Sequence, residues 1–160
     1  MELSNKDRRI MIALGGTLIA AIIVGRPILY AMNPQSVLEN SDQLTLYSLR
    51  GYLNQEKLDE FHGWGIFGQK RVTDPQMKER LVTALYSSMD SSAPQYSCFS
   101  PSHGLRATRG GRTVDVVICF SCGKVDIYDR GQLRYHYLPI SKEASPVFEK
   151  AIKAVGLRPG

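Results

Sequence analysis

The sequence predicts an α+β domain, an antiparallel sheet of about five or six strands with helices on one side, carried behind an N-terminal transmembrane helix. Three observations predict it. The chain opens with an uncharged hydrophobic run, two later segments of helical period each begin at a proline, and the second half alternates apolar and polar residues between glycine turns.

The apolar run covers residues 10–25. As a helix it is about 24 Å long, short of a hydrocarbon core of about 30 Å. Continuing through Arg26, Pro27 and Tyr30 to Met32 gives about 35 Å, with Arg26 snorkelling and Tyr30 in the interfacial belt. Leu29 before Ala31, and Ile19 before Ala21, deny a signal peptidase its two small residues, so the segment reads as an anchor rather than a cleaved signal. Lys6, Arg8 and Arg9 precede it and Arg26 alone follows closely. That asymmetry predicts a single-pass protein attached through residues 10–32, with a cytoplasmic N-terminus and an extracytoplasmic C-terminal domain.

Residues 1–32 are thus the expected anchor, 33–42 a linker opening on Asn33-Pro34, and 43–158 a single α+β domain. Leu44, Leu46 and Leu49 mark a strand over residues 43–49, and residues 66–72 mark a second. Asp74-Pro75 is a helix start, a capping carboxylate followed by proline at the first helical position. Leu81, Val82, Leu85 and Met89 then share one face, to about residue 90.

Residues 105–109, 112–120, 124–128 and 132–138 form a meander whose turns hold Gly110-Gly111, Ser121 to Gly123 and Asp129 to Gly131. The segment 112–120 is apolar on both faces and reads as an interior strand. Leu133, Tyr135 and Tyr137 share a strand face that reads as core rather than a base-stacking platform. Ser145-Pro146 opens a last helix, with Val147, Phe148, Ile152 and Val155 inward and Gly156 at its end.

Charge gives little towards function. The formal net charge of +5 falls to +3 without residues 1–32, too small an excess for a nucleic-acid surface. Arg106, Arg109 and Arg112 gather about a hairpin tip, read equally as a candidate patch for an anionic partner and as a solvated edge that blocks sheet extension. His62 and Trp64 are candidate partner contacts lining a pocket with His103, against a surface loop pinned by one buried Trp. Gly63 to Gly68 matches the spacing of a dinucleotide loop but leads into a strand rather than a helix, so it carries no phosphate-binding expectation.

The chemistry-bearing residues are the cysteines. Cys119-Phe120-Ser121-Cys122-Gly123 is a C-x-x-C-G knuckle between two strands, able to aim two thiolates at one ion while turn amides donate to sulfur. Cys98 and His103 would complete a closed Cys3His site for structural zinc. An oxidising compartment favours instead a disulfide, Cys119 with Cys122 or either with Cys98, and a third reading leaves Cys119 as core and His103 as the cap of a turn. A thioredoxin-type site is disfavoured, because strand-like residues rather than a helix follow Cys122.

Cys98-Phe99-Ser100-Pro101-Ser102-His103-Gly104-Leu105-Arg106-Ala107, followed by residues 115–122 with Cys119 and Cys122, resembles a signature of uncharacterised bacterial proteins, many of them exported or lipid-anchored. Phe61-His62-Gly63-Trp64 and Val72-Thr73-Asp74 are similar too, so the resemblance spans residues 43–128. Ser102 departs from the basic residue expected before the histidine. The family implies an exported setting and no named activity.

These readings converge on a membrane-anchored, non-catalytic interaction or structural module whose sheet is clipped at Cys98, His103, Cys119 and Cys122, with a protein partner and no nucleic acid. The other class is a thiol-based redox or hydrolytic enzyme using Cys98 or Cys122 with His103. No Gly-x-Ser-x-Gly elbow or His-Glu-x-x-His helix supports it.

Overall fold

A computed structural model describes residues 33–53 and 59–160 of the chain. The expected anchor, residues 10–32, lies outside them. No helix among the described residues is long and apolar enough to cross a membrane.

The element order is α1 (Pro34–Glu39), β1 (Gln43–Leu53), β2 (Glu60–Phe61), β3 (Trp64–Val72), α2 (Pro75–Ser87), β4 (His103–Arg109), β5 (Arg112–Cys119), β6 (Lys124–Asp129), β7 (Gln132–Pro139) and α3 (Ser145–Ala154). The strands form one seven-stranded sheet in the order β2-β3-β1-β4-β5-β6-β7, every neighbouring pair antiparallel. This is the expected α+β class, with one strand more than expected because β2 is only two residues long. Two residues carry no readable period.

Alternation along β1, β4 and β5 sets the two faces of the sheet. Leu46 opposes Leu105 and Leu105 opposes Val116, while Leu44, Ala107 and Val114 form the next row. All of these side chains are at most 1% exposed. Phe148 on α3 reaches this same face, where its ring meets that of His103. The opposite face carries a smaller core of Tyr47, Leu49, Phe61 and Val117, with Trp64, Ile66, Phe99 and Tyr128 packed against it. The sheet curls strongly about this second face. His62, in the β2–β3 turn, reaches Asp115 on β5 and Tyr128 on β6, although β2 and β5 are separated by three strands.

Two sequence expectations need correction. Residues 33–42 are no linker, because they hold α1, whose Val37 and Leu38 are fully buried and which packs against β4 and β5. A six-residue helix is too short to display a helical repeat, and its remaining signals are two adjacent apolar side chains and Asn33-Pro34, a capping residue before proline. Leu133, Tyr135 and Tyr137 are not core either: they are 46%, 47% and 39% exposed. Their strand is the sheet edge, and register shifts on either side of Ile127 break the alternation that would have buried them.

Helix α2 starts as expected. Asp74 accepts a hydrogen bond from the Gln76 amide at 2.9 Å, with Pro75 in the first turn. Replacing Asp74 with Ala is expected to cost about 1 kcal/mol, read as a small fall in urea midpoint. No change in midpoint would show that this cap adds nothing to the fold.

Candidate functional site

Along β5, Asp115, Val117 and Cys119 project from the second face, so a charged group and a sulfur stand about 13 Å apart on one strand. Each is the hub of a cluster.

Beside Cys119 the sulfurs converge on Cys122. Cys122 Sγ lies close enough to pair with either Cys98 Sγ or Cys119 Sγ, and one sulfur can hold only one disulfide at a time. The β5–β6 turn brings Cys119 and Cys122 together, and the loop between α2 and β4 brings in Cys98. That loop is tied down by the Tyr96 amide donating to the Cys122 carbonyl at 3.1 Å and by Lys124 Nζ donating to the Cys98 carbonyl at 3.2 Å. Cys119 and Cys122 are fully buried, whereas Cys98 is exposed. Cys119 Sγ accepts from the amides of Cys122 at 3.2 Å and Ser100 at 3.4 Å, with Ser121 Oγ also 3.4 Å away. The expected donation of turn amides to sulfur is present, and the Cys119 thiol in turn donates to the Ser100 carbonyl at 3.3 Å.

The fourth expected ligand lies elsewhere. His103 pairs with Ile118 in the β4–β5 register, so its side chain leaves the sheet opposite to that of Cys119. Its ring packs edge-on against Phe120 and Phe148, and Nδ1 sits 3.0 Å from Ser102 Oγ. A cavity of about 350 Å³ adjoins it, lined in part by Ser102, Ser121, Glu149 and Lys153. Four-residue spacing in a loop did not reveal that the pleat would separate Cys98 from His103. Among the described residues no group of three or more His, Cys, Asp or Glu side chains is arranged to hold a metal ion.

Burial pushes the His103 pKa down to about 4, with Glu149 opposing weakly. The unfolded chain, titrating near 6.5, therefore binds its proton first. Stability from the neutral ring is complete above pH 6.5 and is lost as pH falls towards 4. Between pH 6.5 and 4.5 the expected loss is about 2 kcal/mol, measured as the difference in pH slope between the native chain and His103→Phe. Equal slopes would show that His103 titrates normally.

At Asp115 the cluster is ionic and aromatic. Arg106 Nε and Nη2 each donate to its carboxylate at 2.8 Å, and His62 Nε2 lies 2.7 Å from Oδ2. Asp115 is 3% exposed. Burial alone would raise its pKa, but the hydrogen bonds from Arg106 and His62 hold it below the usual carboxylate value. His62 stacks on Tyr128 at 3.6 Å and Phe61 on Tyr47 at 4.1 Å, while the Arg106 guanidinium lies 5.3 Å from the Phe61 ring centroid. His62 adopts φ +53°, uncommon for a residue with a Cβ. Gly104 is needed here, because a Cβ would come within 2.8 Å of the Phe61 ring.

The arginine patch is thereby divided. Arg106 belongs to Asp115, Arg112 makes a paired contact with Asp129 at 2.9 and 2.7 Å, and Arg109 reaches Ser36 on α1. By register Arg106 also leaves the sheet on the face opposite to Arg109 and Arg112. Trp64 meets Phe99 edge-on, with centroids 5.7 Å apart, and Phe99 meets Tyr137, whose ring lies under the Lys124 ammonium. This aromatic row joins the ionic cluster to the sulfur cluster. Asp115, Tyr47, Tyr128 and Lys124 were missed as site residues, and only the polar position of Asp115 within an apolar strand offered a signal.

Comparison of the chain with family models, curated proteins and solved structures finds no match.

Proposed function

We propose that the chain is a non-catalytic interaction module, displayed from a membrane by residues 10–32, whose loop between α2 and β4 is clipped to the sheet by a single disulfide at Cys122. The convergence of Cys98 and Cys119 on Cys122 carries this reading. The clip holds Phe99 against Trp64, and so shapes the aromatic and ionic face on which a protein partner docks through Trp64, His62 and Arg106. The separation of His103 from Cys119 favours a disulfide over a Cys3His zinc knuckle, and an extracytoplasmic setting favours the same outcome. It also leaves the alternative thiol enzyme without its histidine: no hydrogen bond among the described residues joins His103 to a cysteine sulfur. A protein partner fits better than nucleic acid, because the net charge outside residues 1–32 is only +3.

The test is a count of free thiols and bound metal on the full chain purified in detergent without reductant. One thiol, one disulfide and no metal are expected. One zinc per chain, lost on chelation together with the fold, would replace the disulfide reading with a metal knuckle. Three free thiols without metal would remove both clips.

A further inference from the structure

We infer that the three cysteines form a thiol–disulfide exchange site, with Cys122 as the central sulfur, Cys119 as the buried attacking thiolate and Cys98 as the outward sulfur that meets low-molecular-weight disulfides. The inference rests on the clip being a disulfide, and it adds that the clip moves.

The geometry carries it. Exchange between a thiolate and a disulfide needs the attacking, central and leaving sulfurs in mutual reach, with the central one between the other two. Cys122 Sγ contacts both other sulfurs, and neither contact needs a rearrangement of the sheet. The two outer sulfurs differ in the way that a directional device requires. Cys119 is fully buried, with the amides of Ser100 and Cys122 donating to its sulfur and the Ser100 carbonyl oxygen 3.3 Å from it. Cys98 is exposed, in a loop rather than a strand. A purely structural clip needs two cysteines, and the third is unexplained unless it takes part.

The internal exchange needs no oxidant, and the soluble disulfide is itself the oxidant of the step that follows. Cys119 thiolate attacks Cys122 Sγ in the Cys98–Cys122 bond, a Cys119–Cys122 bond forms, and Cys98 leaves as a thiolate. The number of disulfides is unchanged. The freed Cys98 thiolate then attacks a soluble disulfide RS–SR, forming Cys98–S–S–R and releasing RS⁻, which takes a proton from water. Cys98 is thus a site of reversible S-thiolation, available only while the clip rests on Cys119.

Tryptic peptides separate the states. Cys98 lies in residues 81–106, and Cys119 and Cys122 both lie in 113–124. A Cys98–Cys122 bond cross-links the two peptides, whereas a Cys119–Cys122 bond closes a loop within the second. The full chain, purified without reductant and quenched with acid, is expected to yield both products. Incubation with oxidised glutathione is expected to place one glutathione on peptide 81–106 while the cross-linked fraction falls and the looped fraction rises. Cys119→Ser, which keeps the Cys98–Cys122 bond, is expected to take up at least tenfold less. One linkage only, unchanged by glutathione disulfide, would leave the clip standing and overturn the exchange. Adduct on peptide 113–124 overturns the assigned direction, and three free thiols overturn clip and exchange together.

Discussion

Replacing Asp115 with alanine is expected to lower the unfolding free energy by about 3 kcal/mol, the larger part of it from what is left behind rather than from what is removed. Asp115 is 3% exposed and holds two partners, Arg106 and His62, against an aromatic floor. Without the carboxylate, His62 loses its hydrogen bond while still stacked on Tyr128. The Arg106 guanidinium must also turn to solvent, away from Phe61. Arg106 is already 43% exposed, so water recovers part of the loss, and the figure sits at the low end for a broken buried pair. For a domain of this size that is a fall of roughly 10 °C in Tm.

The same substitution should also change the acid limb of stability. A carboxyl held below its unfolded pKa contributes stability that is present above the unfolded value near 3.8 and lost as pH falls through the folded one. The alanine variant should lack that component, so its deficit against the native chain is full above pH 4 and narrows as pH falls further. Arg106→Ala should cost less, because Asp115 keeps His62. A urea titration giving less than 1 kcal/mol for Asp115→Ala would mean that the carboxylate is not the hub of this face.

The contrast between the clusters explains how much of this protein the sequence discloses. The elements that carry period and punctuation are legible: α2 from Asp74-Pro75 and its apolar stripe, the central strand β5 from its doubly apolar run, and the hairpins from their glycines. Short elements such as α1 and β2 are not, since neither spans enough residues to repeat. The edge strand β7 misleads, because alternation shows that one face differs from the other without showing that anything covers it. At the site, the gathering of Cys98, Cys119 and Cys122 follows from residue type and the knuckle. Excluding His103 required the pairing of His103 with Ile118, a register that spacing alone does not contain. Joining His62 to Asp115 required the sheet to curl, a property of all seven strands together.

Gly123→Ala is expected to be the most damaging single-methyl change near the sulfurs. Gly123 has φ +66°, and a Cβ there would fall 2.2 Å from the Pro94 carbonyl oxygen, a backbone atom with no side-chain rotation to relieve it. Left-handed strain and forced displacement of the loop together amount to about 3–4 kcal/mol. Gly110 supplies the control: it also has positive φ, but nothing lies within 4 Å of its added Cβ, so Gly110→Ala should cost only about 1 kcal/mol. The difference measures the close approach of the loop alone. As the Pro94 carbonyl is pushed away, the Tyr96 amide leaves the Cys122 carbonyl and Cys98 is drawn from Cys122. The linkage should then shift to Cys119–Cys122, with peptide 81–106 no longer cross-linked and Cys98 open to alkylation. Should Gly123→Ala match Gly110→Ala in stability and retain the cross-link, the loop between α2 and β4 cannot lie across the knuckle, and Cys98 would have no fixed place in the cluster.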